Sequence, residues 1–240
     1  MSQTPKNRGQ FTSSLGFILA SAGSAIGLGN LWKFPYIAAN SGGGIFLVFY
    51  ILFVLLLGVP IMMAEMSIGR RTQLNAIGAY RKLNKKWTFV GVLGVLCAFV
   101  ILSYYSVVGG WVTKYIVAFA SGGNFGSDPA AYFNNFVASP VEPVVWHLVF
   151  MAFCAIVVVM GVVKGIEKMS KILLPALFVI VVVVAIRSVT LPGAGEGLKF
   201  LFVPAFSAVS SNGDLGNAMV QATGQVSFRL SMGMGITITY

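Results

Sequence analysis

The stretch Gly23–Asn30, which reads G-S-A-I-G-L-G-N, contains residue types that could bind ions, although it lies inside a long apolar segment. It holds three glycines, and each glycine costs a helix about 1 kcal/mol relative to alanine. Backbone groups released from a helix inside a bilayer must find other partners. Freed carbonyl oxygens can ligate a small hard cation, and the N–H groups that begin the next half-helix can hold an anion. We therefore expect a broken helix that lines a binding site.

A second stretch of the same kind is Gln225–Tyr240, which reads Q-V-S-F-R-L-S-M-G-M-G-I-T-I-T-Y and places Gly233 and Gly235 near serines. Two interrupted helices at corresponding places indicate the central site of a transporter. The alternative is that these small residues only allow helices to pack closely.

The composition indicates that both stretches lie in a membrane. The chain is 57% hydrophobic and 9% charged, whereas a soluble domain has about 25% charged residues. Apolar runs long enough to cross a bilayer recur, so we predict an all-α polytopic membrane protein. The sequence contains no visible nucleophile–base constellation, phosphate loop or metal cluster, so an enzyme is not expected.

We predict a single transmembrane domain over residues 1–240 with about six spans, whose helices must position the two glycine-rich stretches. The apolar runs that define these spans are Thr12–Ala39, Ile45–Ile68, Thr88–Phe119, Val144–Val163, Ile172–Val189 and Asp214–Tyr240.

The positive charges are distributed as expected for a membrane topology. The net charge is +10, and the basic residues concentrate before the first span, in Gly69–Trp87 and between the fourth and fifth spans. The loop Ser121–Pro143 contains no Lys or Arg. The positive-inside rule therefore places the N-terminus in the cytoplasm, with the chain in the inner (cytoplasmic) membrane. This distribution favours topology over nucleic-acid binding as the reason for the net charge.

Several motifs carry a resemblance to a known family. A-G-S-A-I-G-L-G-N-L-W-K-F-P-Y, followed by N-S-G-G-G-I-F, resembles the first transmembrane helix of the neurotransmitter:sodium symporter family. Gly58–Arg70 resembles the end of the family's second helix, and S-Y-Y-S-V-V-G-G-W and F-x-L-S-x-G-x-G are similar to its third and sixth. The resemblance covers essentially the whole chain in order. It implies a LeuT-type fold truncated in the sixth helix, with spans one and six unwound in the middle.

The resemblance also implies sodium-dependent symport of an amino acid. The Ala25 carbonyl and the Asn30 side chain would hold a first sodium ion, and the Gly23 and Ile26 carbonyls would hold part of a second. Neutral oxygens at the end of a half-helix suit such a cation.

The implied substrate site lies beside the first sodium. Backbone N–H groups of Leu28 and Gly29 and the hydroxyl of Tyr105 would bind the carboxylate. Met234 leaves room for a bulky side chain, so we expect a hydrophobic or aromatic amino acid. Tyr104 and Tyr105 could instead be a packed aromatic pair. The pocket would be lined by Ala25, Gly27, Ile101, Tyr104, Phe228, Ser231 and Met234.

Other positions match family features outside the pocket. Tyr50 and Gln225 match the surroundings of a chloride ion, Lys33 an outer gate and Arg8 a cytoplasmic latch. Glu65, a carboxylate near the end of the second span, is interpreted as a structural partner for backbone or polar groups rather than as a proton carrier.

Arg229 departs from the family, which has Ser or Thr at this position. An arginine cannot ligate a cation and is always protonated. Its placement in a membrane costs at least about 2.5 kcal/mol. Unless it snorkels or pairs with an anion, we expect it to abolish sodium binding at the first site.

The chain also ends within the family's sixth span, so the second inverted repeat that alternating access requires is missing. We therefore expect an N-terminal fragment of a symporter, with a C-terminal half or a full-length relative as a partner. The alternative is a non-transporting truncated membrane protein or assembly partner. A simple ion channel is disfavoured because paired broken helices and pocket tyrosines suit binding and occlusion.

Overall fold

The computed structural model describes residues 13–204 and 212–240, and the regular elements within these residues are all helical. The predicted all-α class is confirmed. Short π-helical turns at Val54–Gly58 and Val162–Glu167 and a 3₁₀ turn at Lys85–Trp87 join some of the helices. The α-helices are α1 (Ser14–Ala25), α2 (Leu28–Leu31), α3 (Lys33–Asn40), α4 (Gly44–Phe53), α5 (Val59–Thr72), α6 (Ala76–Leu83), α7 (Thr88–Ala120), α8 (Pro129–Ala138), α9 (Glu142–Val159), α10 (Lys168–Val189), α11 (Ala194–Phe202), α12 (Asn212–Arg229) and α13 (Ile236–Thr239).

By length and composition, four helical stretches among the described residues could cross a membrane. A fifth candidate is the pair Ser14–Ala25 and Gly29–Asn40, which is bent by 57°. The chain is thus a multi-pass membrane protein. The predicted sixth span corresponds to α12 and α13, and the total of six spans stays a prediction. The four stretches are Gly44–Thr72, Lys85–Ala120, Glu142–Val159 and Lys164–Val189.

The outward-facing apolar side chains of these helices match a lipid environment. Val159 in α9 is 86% exposed and Phe178 in α10 is 70% exposed. A soluble monomer rarely presents contiguous apolar surface on this scale. A bilayer covers such a surface without cost, because lipid tails are as apolar as the side chains themselves.

The described chain divides into two compact units. One unit, called here the broken-helix unit, contains Ser13–Val95 and Ser170–Tyr240; the other, the α7–α9 unit, contains Leu96–Met169. The expectation of a single transmembrane domain stays a prediction.

The core of the broken-helix unit lies where α3, α4 and α12 meet. Ala38, Phe46 and Ala222 are buried there. The ring centroids of Phe34 and Tyr50 are 4.9 Å apart in an edge-to-face arrangement, which aromatic pairs prefer. In this core α4 packs against both α3 and α12.

The segment that follows α12 lies very close to the backbone of α5 and α7. A Cβ on Gly94 in α7 would lie 2.7 Å from the carbonyl oxygen of Gly233, and a Cβ on Gly69 in α5 would lie 2.5 Å from that of Ile238. Real Cβ atoms essentially never come so close to another atom. Glycine is therefore required at both positions for the segment after α12 to pack against α5 and α7.

The α7–α9 unit contains an ion pair between a buried lysine and a partly exposed glutamate. Lys114 Nζ lies 2.7 Å from Glu142 Oε1, and the Lys114 side chain is 9% exposed. The same ammonium is 3.9 Å from the centroid of the Phe136 ring, a cation–π contact. These contacts connect α7 with α8 and with the start of α9.

Replacing Gly94 with alanine should destabilise the fold by about 1–3 kcal/mol, the usual range for overpacking. The added methyl group would press on the Gly233 carbonyl, which is a backbone atom and cannot move aside as readily as the end of a flexible side chain. Thermal unfolding of the purified protein, followed by circular dichroism, measures the effect. Gly195→Ala in α11 is the control, because a Cβ there meets no described atom within 4 Å. Equal unfolding temperatures for the two variants would contradict the packing described above.

Candidate functional site

The first break separates α1 from α2. Helix α1 ends at Ala25, and Ile26 adopts an extended conformation with φ −95° and ψ 106°, its N–H donating to the Ala22 carbonyl at 2.8 Å. Helix α2 begins two residues later at Leu28. The predicted interruption within Gly23–Asn30 is confirmed.

The predicted ligands of the first sodium contact each other directly. Asn30 Nδ2 donates to the Ala25 carbonyl oxygen at 3.0 Å. Asn30 Oδ1 is buried, with no hydrogen-bond partner among the described residues. A buried amide oxygen without a partner is suited to a cation or to a donor group. However, Asn30 presents its N–H, and not this oxygen, to Ala25. The pair therefore fits a sodium ion only if the amide turns.

The second break separates α12 from α13. Helix α12 ends at Arg229 and α13 begins at Ile236. Between them Ser231 has φ +51°, an uncommon value for a residue other than glycine, whereas the glycines Gly233 (φ +78°) and Gly235 (φ +70°) adopt such values readily.

The two breaks are in contact. Ser231 Oγ donates to the Ser24 carbonyl oxygen at 3.1 Å, which joins positions 207 residues apart. The Ser24 carbonyl belongs to the last turn of α1, where it has no regular helical partner. The hydroxyl of one broken helix thus satisfies the exposed backbone of the other.

Glu65 in α5 holds the second break from its other side. Its side chain is buried and accepts the Gly233 N–H at 2.8 Å and the hydroxyl of Thr237. The interpretation of Glu65 as a partner for backbone and polar groups is confirmed. Tyr80 in α6 has a pKa above its ordinary value, mainly because the tyrosine is partly buried. The nearby Glu65 carboxylate raises this pKa further.

Arg229 lies at the junction of the two breaks. Gln225 Oε1 accepts hydrogen bonds from Arg229 Nε at 3.0 Å and from Nη2 at 2.6 Å. A Cβ built on Gly29 would collide with Arg229 Nη1 and lie 3.0 Å from Cζ. The guanidinium carbon is 6.0 Å from the centroid of the Phe34 ring. The cation therefore lies against the backbone where the substrate carboxylate was predicted.

The other predicted residues are distributed over both units. Ala25, Gly27, Leu28, Gly29, Ser231 and the half-buried Met234 belong to the broken-helix unit, as does Phe228, which is 54% exposed. Ile101, Tyr104 and Tyr105 belong to the α7–α9 unit, where the two tyrosine rings lie edge to face at 6.2 Å. Their shared role in a pocket stays a prediction.

The residues predicted for the second sodium, for chloride and for the gates also stay predictions. The Gly23 and Ile26 carbonyls lie at the end of α1, and Tyr50 and the buried Gln225 lie on α4 and α12, which pack together. Lys33 is exposed at the start of α3. Arg8 lies outside the described residues.

Some contacts of the site were not anticipated from the sequence. The spacing of Gln225 and Arg229, four residues apart on one helix, is a signal for a side-chain pair. No local signal could have revealed the bond between Ser24 and Ser231, because their separation in the sequence is 207 residues.

Comparison with known proteins agrees with the motifs. The model of the sodium:neurotransmitter symporter family matches residues 8–122 and 137–240. The chain belongs to this family. The uncharacterized sodium-dependent transporter YhdH of Bacillus subtilis (strain 168) is 45% identical over 236 residues, which are 96% of this chain and 51% of that protein. The sodium-dependent neutral amino acid transporter B(0)AT2 of Rattus norvegicus is 28% identical over 272 residues, which are 100% of this chain and 36% of that protein.

A solved member of the same fold is also similar. The crystal structure of MhsT in complex with L-phenylalanine superposes with a TM-score of 0.87 at 44% identity, and the match covers 98% of this chain and 53% of MhsT. The LeuT-type fold is confirmed. The chain spans about half the length of these relatives, or less. This family member is thus related to sodium-dependent transporters over nearly its entire sequence.

Replacing Glu65 with alanine should release the segment after α12. The Gly233 N–H and the Thr237 hydroxyl would lose their acceptor. Each lost hydrogen bond costs about 0.5–1.5 kcal/mol, and local opening becomes roughly tenfold more frequent for each 1.4 kcal/mol. Hydrogen–deuterium exchange of the peptide covering residues 230–238 measures this opening. Thr237→Val is the matched control, since it removes one donor but leaves the Gly233 bond intact. If Glu65→Ala exchanged no faster than Thr237→Val, Glu65 would not be the anchor of the second break.

Proposed function

We propose that this chain is the N-terminal half of a sodium-coupled symporter that carries a hydrophobic or aromatic amino acid across the cytoplasmic (inner) membrane, with its N-terminus in the cytoplasm. One observation carries the proposal: two broken helices meet through the Ser231–Ser24 hydrogen bond at 3.1 Å, in a chain whose described residues include four helical stretches long and apolar enough to cross a membrane. Irregular backbone at membrane depth is tolerated where it is buried in protein or lines a cavity.

The breaks supply groups of both polarities. Carbonyl oxygens at the end of α1, from Gly23 to Ile26, suit sodium, because a hard cation prefers oxygen ligands. The N–H groups that begin α2 at Leu28 and Gly29 suit the substrate carboxylate, because the start of a helix carries partial positive charge. Binding of one ligand would order the same segment that the other requires. Sodium and substrate would then raise each other's affinity by the same factor.

The relatives and the predicted pocket residues support the proposed substrate class. B(0)AT2 is named as a neutral amino acid transporter, and MhsT was solved with L-phenylalanine. Met234, an unbranched and adaptable side chain, would accept such a bulky apolar group. The family resemblance also assigns to the Tyr105 hydroxyl a hydrogen bond to the carboxylate. Chloride at Tyr50 and Gln225 remains an expectation of the same proposal.

A second candidate function is favoured by Arg229. A permanent cation beside Gly29 occupies part of the site in which the proposal places the carboxylate. A chain whose site is closed in this way would serve as a non-transporting partner of a full-length relative. Because the matched relatives are about twice as long as the chain, transport by the whole protein requires a further half that supplies the second repeat.

Binding and uptake of radiolabelled L-phenylalanine separate these functions. The purified chain is placed in lipid nanodiscs for binding and in proteoliposomes for uptake driven by a sodium gradient. Saturable binding supports the amino-acid site, and uptake that disappears when the gradient is collapsed shows that the chain transports unaided. Binding without uptake indicates a half that needs its complement. If no proteinogenic amino acid binds, the symporter proposal fails for this chain and the partner function replaces it.

Replacing Tyr105 with phenylalanine should weaken L-phenylalanine binding about tenfold or more, the range for a lost hydrogen bond to a charged group. The substitution removes one hydroxyl and leaves the ring. Tyr115→Phe, in the same helix α7, is the matched control and should bind with unchanged affinity. Equal affinities for the two variants would remove Tyr105 from the site.

A further inference from the structure

We infer that the guanidinium of Arg229 takes the place of the first sodium ion and serves as a built-in counter-charge for the substrate carboxylate. This inference rests on the proposed amino-acid site and changes its ion requirement. The carboxylate would bind without sodium at Ala25 and Asn30, and sodium coupling would be left to the second site at Gly23 and Ile26.

The first argument is the position of the guanidinium. It lies so close to Gly29 that a Cβ there would collide with Nη1. Gly29 is one of the residues whose N–H group the family resemblance assigns to the substrate carboxylate. A carboxylate bound beside Gly29 would therefore lie within reach of the guanidinium. Arginine is suited to this role because its planar fork binds carboxylates through two parallel hydrogen bonds.

The second argument is that the arginine is held in place. Gln225 Oε1 accepts from both Nε and Nη2 of Arg229, at 3.0 Å and 2.6 Å, and Gln225 is itself buried. These bonds use one edge of the guanidinium and fix the direction of the rest of the group. A long side chain near the end of a membrane helix could otherwise turn toward the interface. Here it is bonded within its own helix and directed at the first break.

The third argument comes from the sodium ligands themselves. The Asn30 amide donates to the Ala25 carbonyl at 3.0 Å, so the carbonyl already receives a hydrogen where a sodium ion would bind. An always-protonated guanidinium nearby disfavours a second cation, because like charges repel strongly in a medium of low dielectric constant. The charge at Arg229 thus opposes a cation between Ala25 and Asn30.

The guanidinium occupies the open space beside Gly29. Any side chain larger than hydrogen would occupy the position of Nη1. A Cβ at this position would therefore oblige the guanidinium to move away from the backbone of α2.

The test compares wild type with Arg229→Ser, which restores the small hydroxyl side chain that the family carries. L-Phenylalanine affinity of the full 240-residue chain in nanodiscs is measured in sodium chloride and in choline chloride. If sodium replaces the guanidinium, the affinity of Arg229→Ser in choline falls about tenfold or more, as expected for loss of a charged hydrogen bond, and sodium restores it. The affinity in sodium chloride divided by the affinity in choline chloride should be at least about tenfold larger for Arg229→Ser than for wild type. Equal ratios would overturn the inference.

Binding of radioactive sodium without any amino acid provides a second, independent measurement. We expect Arg229→Ser to bind more sodium per chain than wild type, and the gain to disappear in the double variant Arg229→Ser/Asn30→Leu. Equal sodium binding by wild type and Arg229→Ser would overturn the inference even if amino-acid binding were intact. Conversely, if no variant bound an amino acid, the proposed function would fail, while the sodium measurement would still decide whether the arginine replaces the ion.

Two control variants exclude trivial causes. Arg229→Lys keeps the charge but loses the planar fork, so it should gain no sodium and should bind L-phenylalanine with intermediate affinity in choline. Arg187→Ser removes an exposed arginine from α10 and should behave as wild type in both measurements. A gain of sodium in Arg187→Ser would show that general surface charge, and not the position of Arg229, controls the ion.

Discussion

Backbone hydrogen bonding inside a bilayer is the constraint on which this structure depends. A helix broken at membrane depth exposes carbonyl and N–H groups that lipid cannot satisfy. The protein meets the requirement by placing its two breaks against each other and against a buried carboxylate. Ser231 donates to the backbone of the first break, and Glu65 accepts from the backbone of the second. Without these partners the glycines alone would give an unstable helix rather than a site.

The same contacts explain why small residues recur around the site. Gly94 and Gly69 allow the segment after α12 to lie directly on α7 and α5, and Gly29 allows a guanidinium to approach α2. Close packing of small residues and construction of a site were alternative interpretations of the sequence. In this fold they are not exclusive, because close approach of the surrounding helices is what holds the irregular backbone.

The sequence predicted the parts of the site that depend on local composition. The break within Gly23–Asn30 follows from clustered glycines, and the role of Glu65 follows from the cost of an isolated carboxylate in a membrane. It could not predict contacts that depend on the tertiary fold. The bond between Ser24 and Ser231 requires knowledge of how two distant helices cross, and the direction of Arg229 depends on a rotamer held by Gln225. The ion pair of Lys114 with Glu142 was missed for the same reason.

The structure of the protein bound to L-phenylalanine, determined at a resolution that shows the carboxylate, tests the central claim most directly. The account predicts carboxylate oxygens about 3 Å from the Gly29 nitrogen and from the Arg229 guanidinium, the usual length of such hydrogen bonds. It also predicts that Ile26 remains extended between α1 and α2. A continuous helix through Ile26 and Gly27, or an amino acid bound away from both breaks, would contradict it.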